Sequence, residues 1–203
     1  MPERFPELRR QDVDPDPLAQ LERWFTEASG AMALPEAAAL ATADSAGRPS
    51  VRMVLIKGWD TQGFAFYSNH ESRKGGELAT NPWAALLFYW PALGRQVRIE
   101  GPVHQLDDLD SDRYFASRPR ASQLGALASA QSQPVGSREE LDRRVSELER
   151  SLADKAVNRP TWWGGYRLEP VSYEFWQQRE DRLHDRIRYL SDAPGWRLDR
   201  LQP

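Results

Sequence analysis

The sequence predicts an α+β fold that is mainly antiparallel β, built around one barrel with peripheral helices. Short apolar segments follow one another from Ala37 and are joined by Gly-containing turns, which suit antiparallel rather than parallel neighbours. Strand-like segments return near the C-terminus after a helical middle region. Six or seven strands are expected, and the 203 residues suffice to bury a real core.

Residues 1–16 are predicted to form an extended arm because they are charged and contain three prolines, and residues 17–203 are predicted to form a single domain. Asp16 is placed to cap the first helix, with Pro17 at its first position, and Gly30 is expected to end it. The apolar stripe of this helix consists of Leu18, Leu21, Phe25 and Ala28.

An antiparallel meander is predicted next. Its strands are "AAALATA" (37–43), "VRMVLIK" (51–57) and "FAFYSN" (64–69), with turns at residues 44–48 and 60–63. A further hairpin is expected from "WAALLFYW" (83–90) and "RQVRIEGPVHQL" (95–106). Helices should follow at about residues 110–117 and 122–128, and a longer one from Ser137, where Glu140 completes a capping box.

The last strands are predicted within residues 162–178, 182–190 and 195–203. The stretch "DRLHDRIRY" (181–189) is unusual, because an extended strand would place Arg182, His184, Arg186 and Arg188 on one face. Leu183 and Ile187 would then pack inward from the opposite face. Four potential cations on one face repel one another and need a local explanation in a mildly acidic protein, and Arg188 has no assigned partner.

Composition excludes several classes of function. The 27 Lys and Arg against 30 Asp and Glu give a net charge of −3, so no global basic field indicates nucleic acid. The absence of cysteine excludes disulfides and thiolate chemistry, and the three histidines lack metal-ligand spacing, so no metal is expected. No apolar run approaches the roughly 20 residues of a membrane span. We expect a cytoplasmic protein.

A phosphate site is predicted at the helix that Ser72 caps and Pro82 stops. Arg73 and Lys74 lie in its first turn, where cations oppose the helix dipole. The alternative is a surface helix that tolerates poor electrostatics. Two adjacent cations beside free backbone N–H groups favour the phosphate cradle.

Two further segments are ambiguous by themselves. Arg52 and Lys57 bracket an apolar run, which indicates either a core strand whose ends reach water or a strand lining a ligand cleft. Tyr114, Arg118 and Ser122 are spaced four residues apart, so on a continuous helix they would share a face and could hold a second phosphate. Pro119 should break that helix, and a solvated face is an equal alternative.

No nucleophile elbow, Walker A motif or dinucleotide fingerprint is present, which favours an enzyme whose chemistry belongs to an organic cofactor. In order, the segments "RMVLIK", "FYSNHESRKGGELATNPWAALLFYW", "RQVRIEG", "YFASRPRASQLGA", "SAQSQPVGSREEL", "WWGGYRL", "EFWQQR", "RLHDRIRY" and the terminal "RLQP" resemble the pyridoxamine 5′-phosphate oxidase family. The resemblance extends from about Leu8 to Pro203. It implies a split β-barrel that binds FMN and an obligate homodimer with two FMN sites at the subunit interface.

The implied reaction converts pyridoxamine 5′-phosphate and pyridoxine 5′-phosphate to pyridoxal 5′-phosphate, with O2 as acceptor and H2O2 as product. Arg182 and His184 match groups over the pyridine ring, as catalytic residues. The substrate phosphate would be held by Lys57, Tyr114, Arg118 and Ser122. The implied FMN contacts are Arg52, Met53, Val54, Leu55, Ile56, Lys57, Tyr67, Ser68, Arg73, Lys74, Gln96, Gln131, Ser132, Trp176 and Arg186.

Some features depart from the family pattern. Gln178 stands where glycine is expected, which predicts an altered turn before the substrate-facing strand, and the arm before Leu8 is shorter than in relatives whose N-terminal segment folds over the substrate. Two alternatives stay open. One is a phenazine-biosynthesis type of FMN oxidase, disfavoured because the substrate-phosphate residues are kept. The other is a non-catalytic module that binds FMN or pyridoxal 5′-phosphate.

Overall fold

The computed structural model describes residues 5–203, and residues 1–4 of the predicted arm lie outside the described residues. The helices of this part of the chain are α1 (Pro17–Ala31), α2 (Arg73–Thr80), α3 (Asp108–Ser117), α4 (Arg120–Ala128) and α5 (Arg138–Leu152). The strands are β1 (Ala37–Ala43), β2 (Pro49–Leu55), β3 (Gly58–Asp60), β4 (Gly63–Asn69), β5 (Trp83–Trp90), β6 (Arg95–Gln105), β7 (Trp163–Leu168), β8 (Ser172–Gln177), β9 (Asp185–Asp192) and β10 (Gly195–Arg200).

All the strand pairs are antiparallel, as predicted, and their main path runs β10-β9-β8-β6-β5-β1-β2. The long strand β6 belongs to two parts of the sheet. Its first half pairs with β8, and its last residues pair with β7. Strand β7 also pairs with β4, and β4 pairs with β3. The sheet therefore curls around a core, and the mainly antiparallel α+β prediction is confirmed.

Aromatic side chains from several strands fill the main core. Phe64, Phe88, Trp90 and Phe175 are fully buried there, and α1 covers the core with Leu21 and Trp24. A second cluster lies under α3, α4 and α5, around Phe115, Leu124 and Trp163. Because this second cluster joins α3 to β7, it fixes the helices that flank the site described below.

The helix boundaries follow the predicted capping residues. The side chains of Asp16, Ser72 and Ser137 accept hydrogen bonds from the backbone N–H groups of Leu18, Gly75 and Glu140. Helix α1 ends at Ala31, one residue beyond the predicted Gly30. Pro119 separates α3 from α4, as expected of a residue that lacks an N–H donor.

The predicted meander is wrong in its pairing. Strand β1 lies between β2 and β5, and β2 does not pair with β4, because the short hairpin β3–β4 turns the chain away after Leu55. The described residues form ten strands rather than six or seven. The segment 162–178 divides at Pro170, which cannot donate to a ladder, and the three-residue β3 had no sequence signal.

The interpretation of "DRLHDRIRY" as one strand is also wrong. Glu180–Arg182 forms a 3-10 turn in which Asp181 and Arg182 have φ of 54° and 61°, and the strand begins only at Asp185. Ile187 is buried as expected, whereas Leu183 is 68% exposed. Positive φ at two successive residues reverses the chain, so Arg182 leaves the row predicted for it. Arg188, which the sequence left unassigned, pairs with Asp199 at 2.9 Å.

The described part of the arm packs on the barrel rather than standing free. Leu8 and Val13 are buried, and a 3-10 turn at Arg10–Asp12 interrupts the predicted extended chain. The Leu8 N–H donates to Asp185 Oδ2 at 3.0 Å. The division into an arm of residues 1–16 and a domain of residues 17–203 stays a prediction.

Candidate active site

A cleft of about 630 Å³ opens between β2, β4, the start of α2 and the end of α3. It brings together residues that are far apart in the chain, and most of those predicted to bind ligands lie in its wall. Its lining consists of Ser50, Val51, Arg52, Met53, Val54, Leu55, Lys57, Tyr67, Ser68, Arg73, Lys74, Tyr114, Arg118, Gln131, Ser132 and Trp163.

Lys74 is the most buried cation of this wall, with 8% of its surface exposed. Its Nζ donates to Ser68 Oγ at 2.7 Å, to Gln131 Oε1 at 2.9 Å and to Ser72 Oγ at 3.2 Å. Burial lowers the pKa of Lys74 to about 8, and the positive charge of Arg52 acts in the same direction. An anion bound beside it would raise this pKa again.

Glu77 organises the two arginines next to Lys74. It accepts from Arg73 Nε at 2.8 Å and from Arg52 Nη2 at 3.2 Å, and its other donors are Ser50 and Thr42. Burial opposes the charged form of Glu77, but these hydrogen bonds outweigh it and lower its pKa to about 2. Two arginines therefore contact one carboxylate, and with Lys74 nearby the cluster keeps a net positive charge. Sequence reasoning missed Glu77, although its position four residues after Arg73 on α2 was a usable signal.

A second cationic group lies in the wall of the cleft where α3 ends. Arg118 places its guanidinium 4.7 Å from the ring centroid of Trp163 and 5.7 Å from that of Phe115. Its Nη1 is buried and has no hydrogen-bond partner within residues 5–203. Burial lowers the pKa of Arg118, an effect that the nearby Tyr114 opposes. A buried donor without a partner is the kind of group that a ligand oxygen would satisfy.

Ser122 does not line the main cleft. It faces an adjoining cavity of about 310 Å³, whose wall shares Arg118, Gln131 and Trp163 with the cleft. Helix α4 is offset from α3 by Pro119, so Tyr114, Arg118 and Ser122 do not lie on one continuous helical face. Arg118 is therefore one of three residues, with Gln131 and Trp163, that line both cavities.

Strand β2 forms the remaining wall of the cleft. Because β1 is its only strand partner within residues 5–203, its other edge presents backbone N–H and C=O groups without a ladder in that part of the chain. Lys57 follows this strand, with its Nζ 3.9 Å from Glu36 Oε1. Ile56 faces the core instead of the cleft, being 2% exposed.

Five of the predicted residues lie elsewhere, on the outer face of the sheet. Gln96, Trp176 and Arg186 occupy facing positions on β6, β8 and β9. The His184 ring lies 4.5 Å from that of Trp176, and Arg182 lies on the turn just before it. None of these five residues lines the cleft of their own chain.

His184 has a defined orientation. The backbone N–H of Arg179 donates to its Nδ1 at 3.2 Å, so a neutral imidazole carries its proton on Nε2. Gln178, predicted to alter this turn, has a negative φ, and its N–H donates to the Gly94 oxygen at 2.8 Å. The unusual backbone lies at Asp181 and Arg182 instead. Arg186 is held by Glu174, with Nε and Oε1 2.7 Å apart.

Among the described residues, no group of three or more His, Asp or Glu side chains is arranged to hold a metal ion. Within the same residues, no helix combines the length and the apolar character needed to cross a membrane.

The curled antiparallel sheet and its cationic cleft define a split-barrel protein suited to anionic ligands. A family model described as "Pyridoxamine 5′-phosphate oxidase" matches residues 26–151, and one described as "Pyridoxine 5′-phosphate oxidase C-terminal dimerisation region" matches residues 163–203. The chain belongs to the pyridoxamine 5′-phosphate oxidase family, as its sequence resemblance predicted.

Individual relatives agree with this assignment. The pyridoxine/pyridoxamine 5′-phosphate oxidase of Rubrobacter xylanophilus is 55% identical over 197 residues, which cover 97% of this chain and 91% of the relative. The protein of the same name from a Cyanothece strain is 51% identical, with 97% and 92% covered. The crystal structure of PhzG from Burkholderia lata 383, in complex with tetrahydrophenazine-1-carboxylic acid, superimposes with a TM-score of 0.90 at 37% identity, covering 98% of this chain and 99% of that one. The predicted split-barrel fold is confirmed.

Proposed function

We propose that the protein is an FMN-dependent oxidase that converts pyridoxamine 5′-phosphate and pyridoxine 5′-phosphate to pyridoxal 5′-phosphate, with O2 as acceptor and H2O2 as product. The observation that carries this proposal is the presence of two separate cationic groups in one cleft, at the start of α2 and at Arg118. Two phosphorylated ligands bound side by side require this arrangement. The names of the relatives that are 51–55% identical support the same reaction.

The residues present fit FMN. Arg73 and Lys74 at the start of α2, with Arg52 beside them, offer donors and positive charge to its phosphate. The free edge of β2, from Arg52 to Leu55, offers backbone N–H and C=O groups to the polar edge of a flat ring. Tyr67, Ser68, Gln131 and Ser132 complete this wall. When bound, FMN would supply the redox chemistry, as the two-electron acceptor for the substrate and the electron donor for O2.

The other residues are assigned to the substrate. Arg118, with Tyr114, Lys57 and Ser122, would bind its phosphate through charge-assisted hydrogen bonds. This grip on a remote group would orient the reacting carbon. Arg182 and His184 would lie against the pyridine ring, where the proton on His184 Nε2 can be donated to a ring substituent. For pyridoxine 5′-phosphate the balance is alcohol plus O2 to aldehyde plus H2O2. The amine also consumes water and releases ammonia.

We infer a homodimer with a shared site because the proposed site residues lie in two separate groups, one in the cleft and one on the outer sheet face. Arg182, His184 and Arg186 lie on the outer sheet face, away from their own cleft, and they fall within the residues matched by the dimerisation region. Strand register places Val51 and Met53 of the cleft wall on the same sheet face, where they are 69% and 65% exposed. We propose that the outer face of one copy closes the cleft of its partner, so that FMN lies at the interface.

Turnover tests the proposed function directly. FMN-loaded protein is incubated in air with pyridoxine 5′-phosphate or pyridoxamine 5′-phosphate, and aldehyde absorbance and peroxide are followed together. We expect equal amounts of both products. FMN binding without turnover would indicate a non-catalytic module instead. Turnover of tetrahydrophenazine-1-carboxylic acid alone would indicate a PhzG-like activity, which the TM-score of 0.90 makes the second candidate.

The pKa of Lys74 predicts how cofactor binding depends on pH. In the free protein this pKa is about 8, below its ordinary 10.5, so Lys74 loses its charge as the pH rises through 8. A bound phosphate stabilises the charged form, and FMN affinity should therefore fall above pH 8, by up to about tenfold per pH unit. The Kd, measured by quenching of flavin fluorescence between pH 7 and 9.5, checks this. Lys74→Arg should flatten the profile, and a wild-type Kd that is constant over this range would contradict the assignment.

The lowered pKa of Lys74 affects the stability of the free protein in the opposite direction to FMN affinity, because stability should increase with pH. Between pH 8 and 10.5 the unfolded chain holds the Lys74 proton more tightly than the folded chain does. The contribution of Lys74 to the free energy of unfolding should therefore increase with pH across this window.

A further inference from the structure

Trp163 was not among the residues predicted from the sequence, yet it lies at the junction of the two cavities. It is 6% exposed, it begins β7, and it lines both the cleft and the adjoining cavity. Its ring is parallel to those of Tyr67 and Tyr114, with centroids 5.7 Å and 6.2 Å away, and those two rings are stacked on each other at 3.8 Å. One rigid aromatic group therefore joins β4, β7 and α3.

Arg118 lies over the face of Trp163, with its Cζ 4.7 Å from the ring centroid. Within residues 5–203, Arg118 forms no ion pair, and its Nη1 is buried without a partner. A carboxylate in this position would orient the guanidinium but would also compete with an incoming anion. An aromatic face orients the guanidinium through its quadrupole and leaves the positive charge and the N–H edge available.

Arg159 fixes the backbone of Trp163 to the helix that carries Tyr114. Its Nη1 donates to the Trp163 carbonyl oxygen at 2.7 Å, and its Nη2 lies 2.6 Å from Asp108 Oδ1 on α3. A third contact, at 2.5 Å, joins its Nε to Asp112. Because α3 ends next to Arg118, these three contacts of Arg159 fix the distance between the Trp163 indole and the Arg118 guanidinium.

We propose that Trp163 is a positioning residue for the substrate phosphate: it holds the Arg118 guanidinium over its ring, leaves N–H groups free for the ligand, and so contributes to the preference for phosphorylated substrates. This inference rests on the proposed function. It extends that function by assigning part of the substrate specificity to Trp163, a residue that need not touch the reacting atoms.

Trp163→Leu removes the aromatic face while keeping an apolar side chain. We expect the KM for pyridoxine 5′-phosphate to rise about tenfold, with kcat and the FMN Kd little changed. The preference for pyridoxine 5′-phosphate over unphosphorylated pyridoxine should fall by a similar factor. Trp163→Phe, which keeps a π face, should recover most of the loss. The matched control is Trp162→Leu, because the neighbouring Trp162 is 38% exposed and lines neither cavity.

Several outcomes would overturn this role. For Trp163→Leu, these outcomes are an equal loss of FMN affinity, a fall in kcat at constant KM, or an unchanged preference for the phosphorylated substrate. For Trp163→Phe, the outcome is a folded protein with the same kinetic constants as Trp163→Leu. Melting temperatures identify variants that fail to fold. If Trp163→Leu does not fold, the kinetic constants of Trp163→Phe decide whether Trp163 has this role. If the wild-type protein does not turn over, the proposed function fails separately. Binding of pyridoxal 5′-phosphate then tests the inference, which requires weaker binding by Trp163→Leu and wild-type binding by Trp162→Leu.

Discussion

Arg118→Ala is expected to lower kcat/KM for pyridoxine 5′-phosphate by about 10- to 150-fold, because a hydrogen bond to a charged group contributes about 1.5–3 kcal/mol. The effect should appear mainly in KM, since the substrate phosphate is remote from the reacting carbon. The Kd of FMN should stay close to that of the wild type. Within the described residues, Arg118 shares no hydrogen bond with Arg73 or Lys74 at the start of α2. Steady-state kinetics and a flavin titration measure the two quantities independently.

Arg113→Ala is the matched control for this variant. It removes an exposed guanidinium from the same helix, where Arg113 pairs only loosely with Asp110 at 3.4 Å. Its kinetic constants should equal those of the wild type. Equal losses of substrate and FMN binding in Arg118→Ala would show that the two anion sites have been assigned wrongly.

Arg182→Asn is expected to reduce kcat/KM about 100-fold, a loss typical of a misplaced reacting group. Asparagine is chosen because it tolerates the positive φ of 61° at this position. Arg182 is exposed, and the described residues provide its side chain with no hydrogen bond or ion pair. The melting temperature and the FMN Kd should therefore be unchanged.

Arg113→Asn controls for the loss of one exposed positive charge. Activity of Arg182→Asn within a factor of two of the wild type would remove Arg182 from the substrate site. A large loss of FMN binding would instead place it with the cofactor.

Local signals predicted a large part of this molecule. Capping residues fixed the starts of α1, α2 and α5, and alternating apolar residues located most strands. The unfavourable placement of Arg73 and Lys74 in the first turn of α2 indicated an anion site before any tertiary contact was known. Each of these signals depends on residues only a few positions apart, which is why the sequence alone could reveal them.

Long-range pairing was less accessible. Nothing local to β2 indicates that β1 would pair with β5 and leave the other edge of β2 free. The turn at Asp181 and Arg182 contains neither glycine nor proline. The alternation of side chains along residues 181–189 therefore led to a predicted strand that begins too early. Trp163 was missed for a similar reason. Its partners Tyr67, Tyr114 and Arg118 lie on other elements, and only the packing of β4, β7 and α3 brings them together.

The predicted site residues lie in two separate groups, one in the cleft and one on the outer sheet face. Gln96, Trp176 and Arg186 form a row across three strands, with His184 beside it, whereas Arg52, Lys74 and Arg118 line the cleft. If one active site requires both groups, it must combine the cleft of one copy with the outer face of another.

Hybrid dimers test this claim most directly. Arg118→Ala and Arg182→Asn chains are produced together with two different affinity tags, and the hybrid dimer is isolated through both tags. In a shared site, one of its two active sites has an intact cleft from one chain and an intact outer face from the other. The kcat/KM of the hybrid should then be about half of the wild-type value per dimer, far above that of either parent variant. A hybrid no more active than its two parents would contradict the account, because it would mean that each active site is formed within a single chain.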